Sequence, residues 1–211
     1  MPALDMPLHQ LEQYTGIHPR PDDFEEYWAR ALSELDATDP APQIVPSGFQ
    51  APNAECFDLT FTGVRGASIY AKYVRPRYAP KPHPAVLLFH GYAGGSGDWS
   101  DKLGLIHLGF SVFAMDCRGQ GGKSEDVGGV KGNTMNGHVI RGLDAGADHL
   151  LMRHIFLDTV QLARAAMSMP EVDPSRIGLY GASQGGALAL ACASLEPRVK
   201  RCVSIFPFLS D

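Results

Sequence analysis

The chain is poor in the features that mark whole classes of function. Its 211 residues include 18 Lys and Arg against 23 Asp and Glu, a formal net charge of −5, and no basic stripe or Lys/Arg cluster. A nucleic-acid or anionic-membrane surface is therefore excluded, and a small-molecule partner is favoured by elimination. Only four cysteines occur, Cys56, Cys117, Cys192 and Cys202, without C-x-x-C spacing and inside or beside apolar segments. They read as buried thiols, and neither a zinc site, a redox motif nor any cofactor is expected. The N-terminus has no basic region followed by an apolar run of signal-peptide length, and no stretch approaches a membrane span, so a cytoplasmic location is expected. The glycine-rich stretches at Gly94 to Gly97 and Gly121 to Gly132 lack a Walker Lys-Ser/Thr pair and any G-x-G-x-x-G opening a helix, which argues against nucleotide binding. There is no internal repeat and no low-complexity segment.

With 45% hydrophobic and 19% charged residues, the chain can bury one substantial core. A single domain over 1–211 is expected, with an N-terminal helical extension over about 1–40 and a core over 53–211. Asp22-Asp-Phe-Glu25 has the form of a capping box, and Phe24, Trp28, Leu32 and Leu35 recur at helical spacing, predicting an amphipathic helix over about 22–36. After a Pro-rich connector from Pro40 to Pro52, Phe57, Leu59 and Phe61 alternate with polar residues, as do Ile69, Ala71 and Tyr73 beyond a turn at Gly63 to Gly66. These are two strands of a hairpin. Continuous apolar runs follow at Ala85–Phe89, Phe110–Met115, Ile177–Tyr180 and Cys202–Phe206, separated by helical stretches, which indicates a parallel sheet covered on both faces. One such helix spans about Met152 to Met169, ended by Pro170, and residues 121–149 read as an irregular loop with a short helix.

The chemistry concentrates at Gly181-Ala182-Ser183-Gln184-Gly185-Gly186, which follows the apolar run ending at Tyr180 and leads into an alanine-rich helical stretch, Ala187 to Ala193. A strand, a tight turn and a helix around G-x-S-x-G make Ser183 a candidate nucleophile, held in strained geometry that its flanking glycines permit. An antiparallel hairpin leading into a parallel sheet with this turn is the α/β-hydrolase arrangement. Phe89-His90-Gly91-Tyr92 closes the first parallel strand, where such folds place one backbone donor of the oxyanion hole; the other comes from the residue after the nucleophile. Tyr92 and Gln184 are the predicted donors. The bland alternatives are a structural turn at the serine, a salt-bridging arginine in a tight turn at Arg118, a buried thiol at Cys117 in place of one activated by Arg118, and packing roles for Trp28 and Trp99 in place of sugar platforms.

Together with Arg118-Gly119-Gln120-Gly121-Gly122, these segments resemble the acetyl xylan esterase and cephalosporin C deacetylase group, carbohydrate esterase family seven, along essentially the whole chain. The resemblance implies a cytoplasmic serine esterase that deacetylates short acetylated xylo-oligosaccharides and cephalosporin C, usually as a homohexamer. Ser183 would attack the acetyl carbonyl, Tyr92 and Gln184 would hold the oxyanion, and Arg118, Gly119 and Gln120 would brace the loop behind the site. The family's later His-Glu pair is absent, as are the last two strands and helices that would carry the catalytic aspartate and histidine. A fragment of little or no activity and poor solubility is expected, with Arg201–Phe206 as an apolar edge. Internal substitutes for the base are His90, beside the oxyanion turn, and more remotely His138, His149 and His154, read as surface or interface residues; Asp211 follows the last strand as a weakly anchored acid. A prolyl-oligopeptidase-type serine peptidase and a non-catalytic interaction protein are the competing readings, the Arg-Gly-Gln motif favouring the deacetylase.

Overall fold

The computed structural model describes residues 6–127 and 138–208. A short helix α1 (Leu8–Leu11) precedes α2 (Phe24–Asp36), whose Glu25 and Glu26 lie in the first turn, where a negative charge is favoured by the helix dipole. The predicted capping box does not form: Asp23 is the N-cap without a side-chain cap bond, and Glu25 pairs with Arg20 instead. The helix still buries the expected stripe, with Ala31 and Leu35 enclosed and Trp28 and Leu32 packed beside Val64, Leu157 and Val160.

Among the described residues seven strands form one sheet: β1 (Gln43–Pro46), β2 (Ala54–Thr62), β3 (Ser68–Pro76), β4 (His83–Phe89), β5 (Ser111–Met115), β6 (Val172–Ala182) and β7 (Arg201–Ile205), in the order β1-β2-β3-β5-β4-β6-β7. The predicted hairpin is β2 and β3, paired from Ala54↔Pro76 to Thr62↔Ser68 around a turn in which Arg65 and Gly66 take positive φ of 63° and 83°. β3 meets β5 antiparallel, whereas β5, β4, β6 and β7 run parallel. β1 lies inside the stretch read as a connector. Its two prolines' worth of punctuation, Pro42 and Pro46, hides a strand that survives because it is at the sheet edge and wholly exposed, where a missing N–H is tolerated.

Helix α3 (Leu103–His107) covers one face; α4 (Leu151–Met167) and α5 (Gln184–Leu195) cover the other. α5 is Ala- and Gly-rich on the side that packs closely, and Leu188, Ala189 and Cys192 join Ile155, Leu162 and Ala163 of α4 in the main core above Leu87, Phe113 and Leu179. Of the predicted loop, 138–149 folds into three short 3-10 turns, and Glu125 bridges to Ser68. Among the described residues β7 is the last strand of the sheet, with Val203 52% exposed at its edge. No helix among them is long and apolar enough to cross a membrane.

Candidate active site

Ser183 sits between β6 and α5 with φ 55° and ψ −123°. Two close approaches impose the glycines around it: a Cβ at Gly181 would run into the backbone of Gly185, and one at Gly185 into the carbonyl of Phe89. The turn is held from both sides, since Ser183 N–H donates to Ile205 O at 2.9 Å and Ser183 O accepts from Phe208 N–H at 3.0 Å. The serine is exposed while Gly181 and Gln184 beside it are buried. Positive φ in a non-glycine residue costs about 1–3 kcal/mol, a strain that places the hydroxyl at the carboxyl end of the parallel strands.

The two predicted oxyanion donors lie on adjoining segments. Gly91 approaches Ala182 O, putting the turn that bears Tyr92 against the residue preceding the nucleophile. Gln184 opens α5, so its N–H has no intrahelical acceptor and points out of the positive end of the helix. Behind them the Gln120 amide joins the two segments: its Oε1 accepts from Ala93 N–H at 3.0 Å and from Gln184 Nε2 at 3.0 Å, while its Nε2 donates to Gln184 Oε1 at 2.9 Å. Both glutamines are fully buried. Gly119 takes a φ of 64°, and a Cβ at Gly121 would strike the Ala93 carbonyl, so the Gly-rich stretch serves close backbone packing against the oxyanion turn.

Arg118 is also fully buried, and forks onto Asp158 of α4 with Nε to Oδ2 at 2.7 Å and a terminal nitrogen to Oδ1 at 2.6 Å. It further reaches Val64 O at 3.2 Å and Asp126 at 3.3 Å. Burial pushes the Asp158 carboxyl up, and the paired guanidinium opposes it. The bland reading of Arg118 as a salt-bridging residue and the bracing reading thus describe the same contacts.

Three groups near the site carry no signal in the motifs. Asp116 ends β5's run and accepts from Ser96 N–H at 2.5 Å and Lys123 N–H at 2.7 Å, tying the oxyanion loop to the Arg-Gly-Gln loop. Lys72 donates to Ser96 Oγ at 2.9 Å, and the buried Lys102 donates to Asp98 O at 2.7 Å and to Ser96 O.

His90 does not have a nitrogen to spare. Cys117 N–H donates to its Nε2 at 2.9 Å, leaving Nδ1–H to donate to Gly91 O at 2.7 Å, and burial lowers its pKa, so the ring is a neutral brace between β5 and the oxyanion turn. His149 Nδ1 faces Arg65 at 3.0 Å, and the buried His154 faces Asp148 O at 3.2 Å with its pKa lowered to about 4 by burial and by Arg118, Arg65 and Arg153. The side chain of His138, and Asp211 as a whole, lie outside the described residues. Among the described residues no side chain accepts a hydrogen bond from Ser183. Cys117 is a buried thiol whose pKa is raised well above its usual value by burial and by Asp158 and Asp116, the opposite of activation. Trp28 packs from α2 against Phe156 of α4 and the cluster of Val64, Leu157 and Val160; Trp99 stacks on Phe49 at 6.3 Å with Lys72 on the ring at 5.3 Å. Among the described residues no cluster of His, Cys, Asp or Glu is arranged to hold a metal.

With the geometry established, comparison with known proteins gives concordant matches. The model of a family described as acetyl xylan esterase (AXE1) matches residues 1–211. Acetyl esterase Axe7A of Xylanibacter ruminicola is 30% identical over 208 residues, covering 95% of this chain and 46% of that protein. The crystal structure of acetyl xylan esterase 1 from Thermoanaerobacterium sp. JW/SL YS485 superposes with a TM-score of 0.92 at 61% identity, covering 99% of this chain and 65% of that one. The acetyl xylan esterase from Paenibacillus sp. R4 gives 0.87 at 31% identity, with 97% and 65% covered. The chain thus spans about half to two-thirds of the length of these relatives.

Proposed function

The chain belongs to the acetyl xylan esterase family and has the α/β-hydrolase fold, and from that premise we propose that it carries the nucleophile and oxyanion side of a serine esterase acting on small acetyl esters. The observation that carries the reading is the exposed Ser183 on its positive-φ turn, with the Tyr92 and Gln184 segments locked together behind it by one buried amide.

In this reading Ser183 Oγ attacks the acetyl carbonyl carbon as its proton passes to a base. The carbonyl oxygen, now an anion, is held by the backbone N–H groups of Tyr92 and Gln184, reinforced by the N-terminal end of α5. As the tetrahedral intermediate collapses, the base returns the proton to the leaving oxygen, which departs as the sugar hydroxyl and leaves acetyl on Ser183; water, giving its proton to the same base, then attacks the acetyl carbonyl, and acetate leaves as the proton returns to Ser183 Oγ. The proposal assigns His90 to holding the oxyanion turn, since both its ring nitrogens are committed. The fold's order places the aspartate and histidine after the nucleophile. The proposal takes both from sequence beyond Asp211, so that the 211-residue chain alone retains at most the residual acceleration of a site without its triad, on the order of 1,000- to 10,000-fold over water. Acetylated xylo-oligosaccharides and cephalosporin C are the proposed substrates, and a cytoplasmic homohexamer the proposed form.

Nitrophenyl acetate turnover by the 211-residue chain, by the complete reading frame and by its Ser183→Ala variant tests the proposal. Strong turnover is expected only from the complete frame with Ser183 intact. Equal turnover by Ser183→Ala would overturn the assignment of the nucleophile, and full turnover by the 211-residue chain would overturn the assignment of the base.

A further inference from the structure

We infer that Ser96 is a positioning residue for the oxyanion turn, clamped at its nitrogen, its hydroxyl and its carbonyl oxygen by three ionised side chains; the inference rests on the esterase reading above. Ser96 lies four residues beyond Tyr92 and is buried. Its N–H donates to the Asp116 carboxylate at 2.5 Å, its Oγ accepts from Lys72 Nζ at 2.9 Å, and its carbonyl oxygen accepts from Lys102 Nζ. The three partners come from separate elements: Asp116 follows β5, Lys72 is in the middle of β3, and Lys102 closes the 3-10 turn Ser100–Lys102 ahead of α3. A hydrogen bond with one ionised partner is about twice as strong as a neutral one, so three of them make Ser96 a firm point in an irregular loop.

A firm point is needed there because the loop is glycine-rich and strained. Gly94, Gly95 and Gly97 surround Ser96. Ala93, directly after the donor-bearing Tyr92, takes a φ of 59°, a conformation that a residue with a Cβ keeps only where its surroundings over-determine it. Gln120 holds Ala93 N–H at 3.0 Å and the His90 ring holds Gly91 O at 2.7 Å, so the turn is fixed as far as the Ala93 nitrogen. Rotation about the next bond, from N to Cα of Ala93, leaves both contacts untouched and swings everything after it. Only a contact downstream resists that rotation. One bond within the turn, Gly94 N–H to Gly91 O at 3.1 Å, resists it locally, and Ser96 resists it from the sheet.

The backbone is shaped to let the clamp close. A Cβ at Gly122 would collide with Asp116 Cγ, and one at Gly95 would lie 3.3 Å from Asp116 Oδ1, so the oxyanion loop and the Arg-Gly-Gln loop meet on this carboxylate from two sides. With the clamp released, Ala93 relaxes and turns the Tyr92 peptide, whose N–H faces the oxyanion in the mechanism proposed above.

The test is steady-state kinetics on nitrophenyl acetate with the enzyme from the complete reading frame, comparing Ser96→Ala, Lys72→Met, the double variant and Lys72→Arg at temperatures where thermal melting shows each folded. An oxyanion forms in acylation and again in deacylation, so a misplaced donor slows both alike. In each single variant kcat should fall roughly 10-fold with KM little changed, a smaller loss than the order of 100- to 1,000-fold for a donor removed outright. Ser96→Ala and Lys72→Met break the same bond, so the double variant should fall no more than about twofold below the lower single one. Lys72→Arg keeps a cationic donor and should recover most of the lost kcat. A role confined to stability would lower Tm and leave the kcat of the folded enzyme unchanged. If Ser96→Ala does not fold, Lys72→Met, at a half-buried position, and its rescue by Lys72→Arg carry the test. A kcat within about twofold of wild type in the single variants that fold, or losses that multiply in the double variant, overturn the clamp, while Ser183-dependent turnover of the wild type keeps the esterase reading intact. A wild type without Ser183-dependent turnover overturns both.

Discussion

Replacing Gln120 with alanine removes the one amide that joins the two oxyanion segments. Gln184, fully buried, loses an acceptor at 3.0 Å and a donor at 2.9 Å, and Ala93 N–H loses its acceptor at 3.0 Å. A buried polar group left without a partner costs about 1–3 kcal/mol, so the Gln184 amide, left with only Cys117 Sγ at 3.5 Å, and the Ala93 N–H together should cost up to about 6 kcal/mol. For a domain of this size each kcal/mol lowers Tm by about 2–4 °C. The catalytic effect should be separable from the thermal one, because in the proposed mechanism the donors act on charge that exists only in the transition state. Losing a donor outright costs on the order of 100- to 1,000-fold; loosening the pair should lower kcat by about 10- to 100-fold with KM nearly unchanged. Gln120→Glu serves as the shape-matched control. It still accepts from Ala93 and from Gln184 Nε2, but sets two acceptor oxygens against each other where the native bond is 2.9 Å. Thermal melting and steady-state kinetics on nitrophenyl acetate measure both effects in the complete enzyme. A Gln120→Ala kcat within twofold of wild type at a temperature where the variant is folded would refute the claim that this amide positions the donors.

Arg118→Met should destabilise by about 3–5 kcal/mol in urea unfolding because it strands the buried Asp158 carboxylate, and Arg118→Met with Asp158→Leu should recover most of that loss; equal losses in the single and double variants would contradict it. Ser183→Gly should abolish turnover yet exceed Ser183→Ala in Tm by up to about 10 °C, because glycine relieves about 1–3 kcal/mol of positive-φ strain against about 0.4–1 kcal/mol of added unfolded-state entropy; a lower Tm for glycine than for alanine would show that the elbow stores no strain. His154, lowered to about 4 by burial and by Arg118, Arg65 and Arg153, is neutral in the native state while its unfolded counterpart titrates near 6.5. The unfolded chain therefore binds the extra proton between those values, so this contribution to stability is whole above about pH 6.5 and is lost as pH falls toward 4. His154→Gln should lose less of its urea midpoint between pH 7 and pH 5 than wild type does, and parallel shifts would refute the assignment.

The parts of the site legible in the sequence are those whose physics is local. Gly-x-Ser-x-Gly records collisions between residues four apart, Gly181 against Gly185, and the strand, turn and helix around them are read from adjacent segments. The apolar runs that become β4 and β5 announce themselves because both their faces are buried, or nearly so, whereas β6 and β7 keep apolar runs with Tyr180 and Val203 exposed. β1 was missed for the opposite reason: its apolar Ile44 and Val45 are both exposed, 40% and 58%, at an edge where prolines on either side do no harm. The capping box failed because the helix begins one residue late, with Asp23 and not Asp22 as N-cap; that puts Glu25 at the second helical position, where it pairs with Arg20, and Glu26 at the third, where it pairs with Arg30.

The braces were illegible because each is a contact between distant parts of the chain. Arg118 finds Asp158 forty positions on, and Gln120 finds Gln184 sixty-four positions on, distances at which no periodicity links donor to acceptor. His90 shows how this misleads: by position it ends a strand beside the oxyanion turn, as a base would, and only the two bonds at its nitrogens make it structural. The types of these buried groups follow a physical logic. The groups that bond directly to the Tyr92-Ala93 turn and to the start of α5, Gln120, Gln184 and His90, are neutral; the Asp116 carboxylate bonds farther along the loop at Ser96 N–H, and the ion pair of Arg118 with Asp158 is bonded to Val64 O, Asp126 and α4. A carboxylate in the first position would oppose a developing oxyanion, and a cation there would favour any resident anion before reaction as much as the transition state during it. Neutral amides fix the backbone N–H groups without adding a charge of either sign, which leaves the stabilisation to dipoles aimed at where the charge will form.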